Sequence, residues 1–306
     1  MQKLALGENV DKKFTILKVF WVCTLALLLT GCSGDIVTTR AYFNPNWTPD
    51  GMIIAGKWTR TVETNTLLGG VSDQTIVREN KYEVVKFDVS GNNETVLFDA
   101  GNLGGDVYIT MSPNGSYVTV GGDLYTASGT FVASISSSSF NSLDWSADSS
   151  KIVFDTSAST NIFNVATATA NSIISDCYFV SWQVSDNIVC NDFDISVSLT
   201  TLKLIDVNGN ILSAVTIGSP QVVGYPQYVP SSSNIIAIGS ANDGYVYSLP
   251  DFSLVSTFDF NETSAWRWHV SPDGTKITFG KTGTQPLRFS GVWAMDINGG
   301  NLARVK

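Results

Sequence analysis

Histidine is almost missing from this chain: His269 is the only one in 306 residues. Multi-histidine metal centres are therefore excluded, and a catalytic triad would have one imidazole to draw on. Basic residues are scarce too, 18 Lys+Arg against 27 Asp+Glu, giving a formal net charge of −9 and a sequence pI of about 4.5. Phosphate backbones are held by clustered positive charge, so nucleic acid is excluded as a partner. Charged residues of both signs make up 15% of the chain, against roughly 25% in an average globular protein. Apolar residues reach 43%, and such a chain buries a core rather than staying disordered. Cysteines number four.

What is present begins with an address. Lys12, Lys13 and Lys18 precede an apolar run from Val19 to Leu29, which fits the charged and hydrophobic regions of a secretory signal and is short for a membrane span. The run ends Leu29-Thr30-Gly31-Cys32, which resembles a bacterial lipobox. That resemblance implies residues 1–31 as a lipoprotein signal peptide and Cys32 as the acylated first mature residue. Residues 32–39 then form a tether, held to a leaflet by about 0.8 kcal/mol per buried CH₂. Processing removes four lysines, one glutamate and one aspartate, leaving 14 basic and 25 acidic residues. An acidic domain of this kind is repelled by anionic headgroups, so the acyl chains and not protein charge are expected to hold it. Ser33 follows the cysteine, where an aspartate would suggest inner-membrane retention. Outer-membrane placement is the expectation, on the periplasmic or the surface side.

A repeat organises the rest. Asn46-Trp47-Thr48-Pro49-Asp50-Gly51 returns as Thr110-Met111-Ser112-Pro113-Asn114-Gly115, as Asp144-Trp145-Ser146-Ala147-Asp148-Ser149, and as His269-Val270-Ser271-Pro272-Asp273-Gly274. Degenerate copies lie at Trp182–Asn187 and Tyr228–Asn234. Each copy reads as a short apolar strand, a turn in which proline presets φ, Asp or Asn bonds its own backbone and Gly takes positive φ, then an alternating strand. A second strand pair follows, as in Val292–Ile297 and Leu302–Val305 around Asn298-Gly299-Gly300. The units are about 40 to 45 residues of four strands, as propeller blades require, because a lone blade cannot bury both faces. The expected fold is all-β, a six-bladed β-propeller of four-stranded antiparallel blades over residues 40–306. An insertion between strands two and three of the first blade, Trp58 to Asn80, accounts for the one long spacing.

These turns and the Val292-Trp293-Ala294-Met295-Asp296-Ile297-Asn298-Gly299-Gly300-Asn301-Leu302 strand pair resemble the TolB-type (PD40, WD40-like) propeller repeats, over nearly all of the mature chain. The family includes the six-bladed domain of the periplasmic Tol–Pal protein, propellers fused to prolyl-peptidase domains, and pectin-oligomer lyases. The resemblance implies fold far more than function. The Tol–Pal protein carries an additional N-terminal domain, for which the stretch between Cys32 and the first repeat leaves no room. The lyase chemistry is expected to use several histidines.

Candidate chemistry is sparse. His269 is read as a hydrogen-bonded structural residue or, alternatively, a lone catalytic imidazole. Asp192 and Asp194 alternate on one strand face and suit Ca²⁺ in principle, but solvated loop carboxylates are the expected reading. No catalytic set, metal or cofactor is expected. Cys177 and Cys190 flank the first hairpin of the fourth blade, so in an oxidising compartment they form a disulfide or stay as two separately buried thiols. Trp47, Trp145, Trp182, Trp266, Trp268 and Trp293 recur at matching positions, which indicates inter-blade core more than a glycan-stacking set. The enlarged connections, Trp58 to Asn80 and Lys281 to Gly291, fall on one face. Arg60, Arg78, Lys281 and Arg288 make them candidate partner-binding residues on an acidic body. The functional expectation is a lipid-anchored envelope module that binds another envelope protein, or a glycan, without catalysis. The alternative is a glycan-active lyase or hydrolase using the central channel.

Overall fold

The computed structural model describes residues 35–65, 74–101, 107–136, 140–183, 185–194, 199–218, 223–239, 243–259, 265–282 and 289–306. It is all-β. Among the described residues no helix is long and apolar enough to cross a membrane. The 24 strands form six antiparallel sheets of four, each taken from consecutive strands, β1–β4 through β21–β24. The expected six-bladed propeller is therefore the fold, each sheet being one blade. Contacts divide the chain into two units: one takes residues 1–40 and 59–80, the other 41–58 and 81–306.

Six apolar clusters hold the second unit together, one in each seam between neighbouring blades. Second strands carry the logic. In β2 (Ile53–Asn65), Ile53 and Ala55 face Val292, Ala294 and Val305 of the sixth blade, while Ile54 faces Ile109 and Val118 of the second. In β10 (Lys151–Thr156), Ile152 and Phe154 pack toward blade two and Val153 toward blade four. Side chains alternate across a strand, so a blade buried on both faces needs consecutive apolar residues rather than an apolar–polar alternation. Ile53-Ile54-Ala55, Ile152-Val153-Phe154, Ile188-Val189-Cys190 and Ile235-Ile236-Ala237 supply them, and all twelve side chains are buried.

The repeated turn has a hydrogen-bond explanation. Thr48, Ser112, Ser146 and Ser271 are buried, and each hydroxyl donates to the Asp or Asn two residues on, Asp50, Asn114, Asp148 and Asp273. The same oxygens accept the backbone N–H of Met52, Tyr117, Lys151 and Lys276, where the second strand begins. The turn's last residue has positive φ in every blade: Gly51, Gly115, Ser149, Asp186, Ser233 and Gly274. Blades three to five meet that demand without glycine.

Two expectations about connections are corrected. The described residues between Trp58 and Asn80 are strand and not loop: β2 continues to Asn65 and β3 starts at Gln74, with 66–73 outside the described residues. The Thr- and Val-containing alternation of these stretches suits a strand. With β1 residues 35–40, these extensions make up the described part of the first unit, in which Thr38 and Thr61 share a hydrogen bond of 3.1 Å and Arg78 Nε donates to Glu63 Oε2 at 2.6 Å. Likewise β22 runs to Thr282 and β23 begins at Phe289, leaving 283–288 outside the described residues. Asp192 and Asp194 belong to β14 (Asn187–Asp194) and not to a loop; Asp192 pairs with Lys203 Nζ at 2.9 Å across the β14–β15 ladder.

Candidate functional site: an axial funnel over a plug

First strands of the blades, β1 (Asp35–Trp47), β5 (Ile109–Met111), β9 (Phe140–Trp145), β13 (Tyr178–Trp182), β17 (Val223–Val229) and β21 (Ala265–Val270), line a cavity of about 370 Å³. Its wall includes one polar residue per blade at one repeat position, two before the turn's start: Asn46, Thr110, Asp144, Ser181, Gln227 and His269. Pro49, Pro113, Ala147, Pro230 and Pro272, the second residues of the first turns, are also in the wall. The funnel therefore opens on the face of the Pro-Asp-Gly turns.

The polar ring is largely committed to joining blades. Asp144 Oδ2 accepts the backbone N–H of Trp182 at 2.8 Å and the Ser181 hydroxyl at 3.1 Å, while Oδ1 accepts the N–H of Trp145 at 2.8 Å. Ser181 Oγ in turn accepts the N–H of Tyr228 at 3.0 Å in the next blade. Indole nitrogens make the corresponding links elsewhere: Trp145 Nε1 donates to Thr110 Oγ1 at 2.8 Å, and Trp47 Nε1 to the carbonyl of His269 at 3.0 Å, across the seam that closes the ring. Burial pushes Asp144 up to about 6 in spite of its three donors. His269 goes the other way, to about 3, first through desolvation and then through the charge of Arg267. At neutral pH the ring thus holds one half-buried carboxylate and a neutral imidazole.

Two residues further up each first strand stand Asn44, Tyr108, Ser142, Phe179, Tyr225 and Arg267. Asn44, Phe179, Tyr225 and Arg267 have φ between 48° and 53°, a left-handed conformation that costs a non-glycine residue on the order of 1–3 kcal/mol. The ladders slip at three of these sites, between Tyr178 and Ser181, Gly224 and Gln227, and Trp266 and His269. A bulge of this type re-aims side chains, and these meet across the axis. The Arg267 guanidinium lies 3.6 Å from the ring centre of Tyr108. They belong to blades six and two, which do not touch in a six-membered ring, so the contact spans the channel. On the neighbouring blades four and five, the Phe179 and Tyr225 rings lie with centroids 4.0 Å apart, tilted by 46°, and Asn44 Nδ2 donates to the Val107 carbonyl. Below the funnel the channel is plugged.

A fully buried carboxylate, Asp155, joins the third and fourth blades beside this plug. It accepts the Ser142 N–H and hydroxyl, both at 2.6 Å, the Asn141 amide and the Phe179 N–H. Burial raises its pKa against those donors. It does not line the funnel.

The sequence-derived candidates fall elsewhere. Cys177 and Cys190 are buried and bonded to each other, with Cα atoms 5.5 Å apart. Arg60 is exposed and Arg78 is exposed and paired with Glu63, both in the first unit. Lys281 lies on β22 opposite Ala265, its side chain outside the described residues, as are Cys32 and Arg288 altogether. Trp47, Trp145, Trp182 and Trp268 are inter-blade core, and Trp293 packs against the seam of blades five and six. Sequence reasoning passed over the polar ring. Its signal was present, since the six residues align when the repeats are superposed on the turn.

Blades, seams and axial funnel together define a six-bladed β-propeller. No protein-family model matches the chain, and no curated protein matches it. A solved structure of a TolB-designated protein from Agrobacterium tumefaciens is similar, with a TM-score of 0.57 and 16% identity over 72% of this chain and 86% of that one. At this identity the likeness shows the fold.

Proposed function

We propose that this protein is an exported module, anchored through an acylated Cys32, that binds another cell-envelope protein at its axial funnel and does no chemistry there. The plugged funnel carries the reading. A pocket of about 370 Å³ is in the range of ligand clefts and is open at the turn face, and two residues further along the first strands Arg267 meets Tyr108. Both oxygens of its carboxylate, Asp144, are bound by wall donors. An inserted side chain or short segment of a partner suits such a site better than a substrate in need of a free acid and base. The lipobox and the fold shared with a TolB-designated protein support an envelope setting. The four basic positions Arg60, Arg78, Lys281 and Arg288 remain a second proposed contact.

One observation favours the alternative, a glycan-active enzyme: Asp144 is held near 6 inside a channel, as suits a general acid. Glycoside chemistry needs a second carboxylate across the scissile bond, and Asp155 is outside the funnel wall.

Photo-crosslinking separates the sites. A benzophenone amino acid at Gln227 is expected to capture one defined envelope protein in intact cells, and Ala147→Trp, at an exposed position of the funnel wall, to block the mouth and abolish that capture at unchanged thermal stability. Adducts from Arg60 or Arg78 but none from Gln227 would move the binding surface to the first unit; glycan cleavage lost in Asp144→Asn would favour the enzyme.

A further inference from the structure

We infer that the β-extension of the first unit is a membrane-contacting surface, seated on the leaflet that holds the Cys32 acyl chains; this rests on the anchoring proposed above. The described chain begins at Asp35, three residues after Cys32. At 3.3–3.6 Å per residue, that stretch spans about 10 Å at full extension. Headgroups and interface occupy a layer of about 5–7 Å on each side of the hydrocarbon. With the acyl chains inserted, this reach exceeds the headgroup layer by no more than about 5 Å, so the first residues of β1 are held at the lipid surface.

Those residues suit the location. Ile36 is 66% exposed and Val37 59%, and Val77 on β3 is 49% exposed. Ile36 and Val37 point to opposite faces by strand alternation, so the first unit covers neither face at this end. Among its described residues none is a buried apolar side chain. Its hydrogen bonds run between surface groups, Thr38 with Thr61, Thr61 with Glu79, and Arg78 with Glu63. The aliphatic side chains are not part of a folding core. Charge points the same way. The described residues of this unit carry Arg40, Arg60 and Arg78 against Asp35, Glu63 and Glu79, whereas the mature chain holds 14 basic residues against 25 acidic. Anionic headgroups repel net negative charge, and this extension carries none to repel.

Labelling tests it. With Cys32 acylated and Cys177 bonded to Cys190, an introduced cysteine is the only free thiol of the mature chain. Full-length protein carrying Ile36→Cys, Val77→Cys or Leu254→Cys, the last 48% exposed on β20 (Leu254–Asp259), is coupled to an environment-sensitive fluorophore and reconstituted into phosphatidylethanolamine/phosphatidylglycerol vesicles with headgroup-proximal nitroxide lipid. Blue-shifted emission and at least two-fold quenching at positions 36 and 77, with water-like emission at 254, are expected. Water-like emission at 36 and 77, or equal quenching at all three positions, overturns the inference, including the version in which a protein covers this extension. Acylation is read separately from the mass of the N-terminal peptide. An unmodified Cys32 sinks the anchoring reading alone, and the labels on chain mixed with vesicles then decide the surface by itself.

Discussion

Lys306, the last residue, places its ammonium 3.0 Å from a carboxylate oxygen of Glu94, just before β4 (Thr95–Asp99) in the first blade. Glu94 also receives Lys57 at 2.6 Å and the Tyr42 hydroxyl at 2.7 Å, and the Lys306 ammonium lies 5.4 Å from the ring centres of Tyr42 and Phe87. No strand is exchanged between the first and last blades, since β1–β4 and β21–β24 are each consecutive. Closure therefore rests on side chains, the apolar seam of Ile53, Ala55 and Val292 and this polar latch over it. Gly91 fits the latch to the chain end: at φ 79° it faces the Val305 carbonyl, where a Cβ would collide.

Removing the latch carboxylate should be felt as acid resistance. Desolvation would raise Glu94, but hydrogen bonds from Lys57, Tyr42 and Lys306 hold it down to about 2. A carboxylate with a depressed folded pKa contributes stability that is complete above its unfolded value of 4.5 and is lost as pH falls toward 2. Discounted for its partial exposure, the contribution is about 1–2 kcal/mol. Glu94→Gln should lower the urea midpoint at pH 7 and flatten the decline between pH 4.5 and 2. An unchanged acid limb would show that the latch does not hold the ring.

Asp144 should act with the opposite sign. Burial, the largest influence, raises its folded value to about 6 from 3.8, so the native state binds the proton more tightly than the unfolded chain. Its contribution is most favourable below 3.8 and declines as pH rises to 6, by about 3 kcal/mol at most. Comparing urea unfolding at pH 4.5 and 7.5 in wild type and Asp144→Asn isolates this group: the wild type should lose stability over that interval relative to the variant. Parallel profiles would mean that Asp144 stays ionised throughout.

How far the sequence showed all this depends on how local the cause is. Ser271-Pro272-Asp273-Gly274 is legible because its hydrogen bonds stay within six residues, from Ser271 to Lys276. Ile235-Ile236-Ala237 is legible because two-sided burial writes an unbroken apolar run. The plug is not: Arg267 and Tyr108 are 159 positions apart, and their meeting depends on left-handed residues that no turn motif announces. The extension 59–65 and 74–80 alternates like a strand, yet its excess over a four-strand repeat invited a loop. Asp144 looked like the flank of a motif, and only the closed ring makes that flank a channel wall.

Turn geometry gives a contrast between two serines. Ser233 and Ser149 both hold positive φ, 56° and 63°, where glycine is unstrained. Ser233 is exposed, so Ser233→Gly should stabilise the fold by about 0.5–1 kcal/mol. Ser149 is buried, and its hydroxyl accepts the Asn114 N–H of the neighbouring blade at 3.0 Å. Ser149→Gly exchanges strain for a lost buried acceptor, worth about 1–3 kcal/mol, and should be neutral or destabilising. Calorimetric midpoints of the two variants decide it; equal shifts would refute the role given to the inter-blade bond.

The sole histidine makes the plug measurable. His269 lies at about 3, through desolvation first and the Arg267 charge second. Its neutral form is the native one, so the stability that it contributes is present above 6.5 and is lost as pH falls toward 3. A single imidazole signal in the proton spectrum of the folded protein should therefore stay flat from pH 8 to 4.5. Arg267→Gln removes the neighbouring charge and leaves the burial. The imidazole should move upward from about 3 but remain well under 6.5, because the larger cause persists. The same substitution ends the guanidinium contact with Tyr108, at a cost of about 0.5–2 kcal/mol. A His269 that titrates near 6.5 in the wild type would mean that water entering from the funnel mouth solvates the imidazole, and neither desolvation nor the Arg267 charge would then govern it.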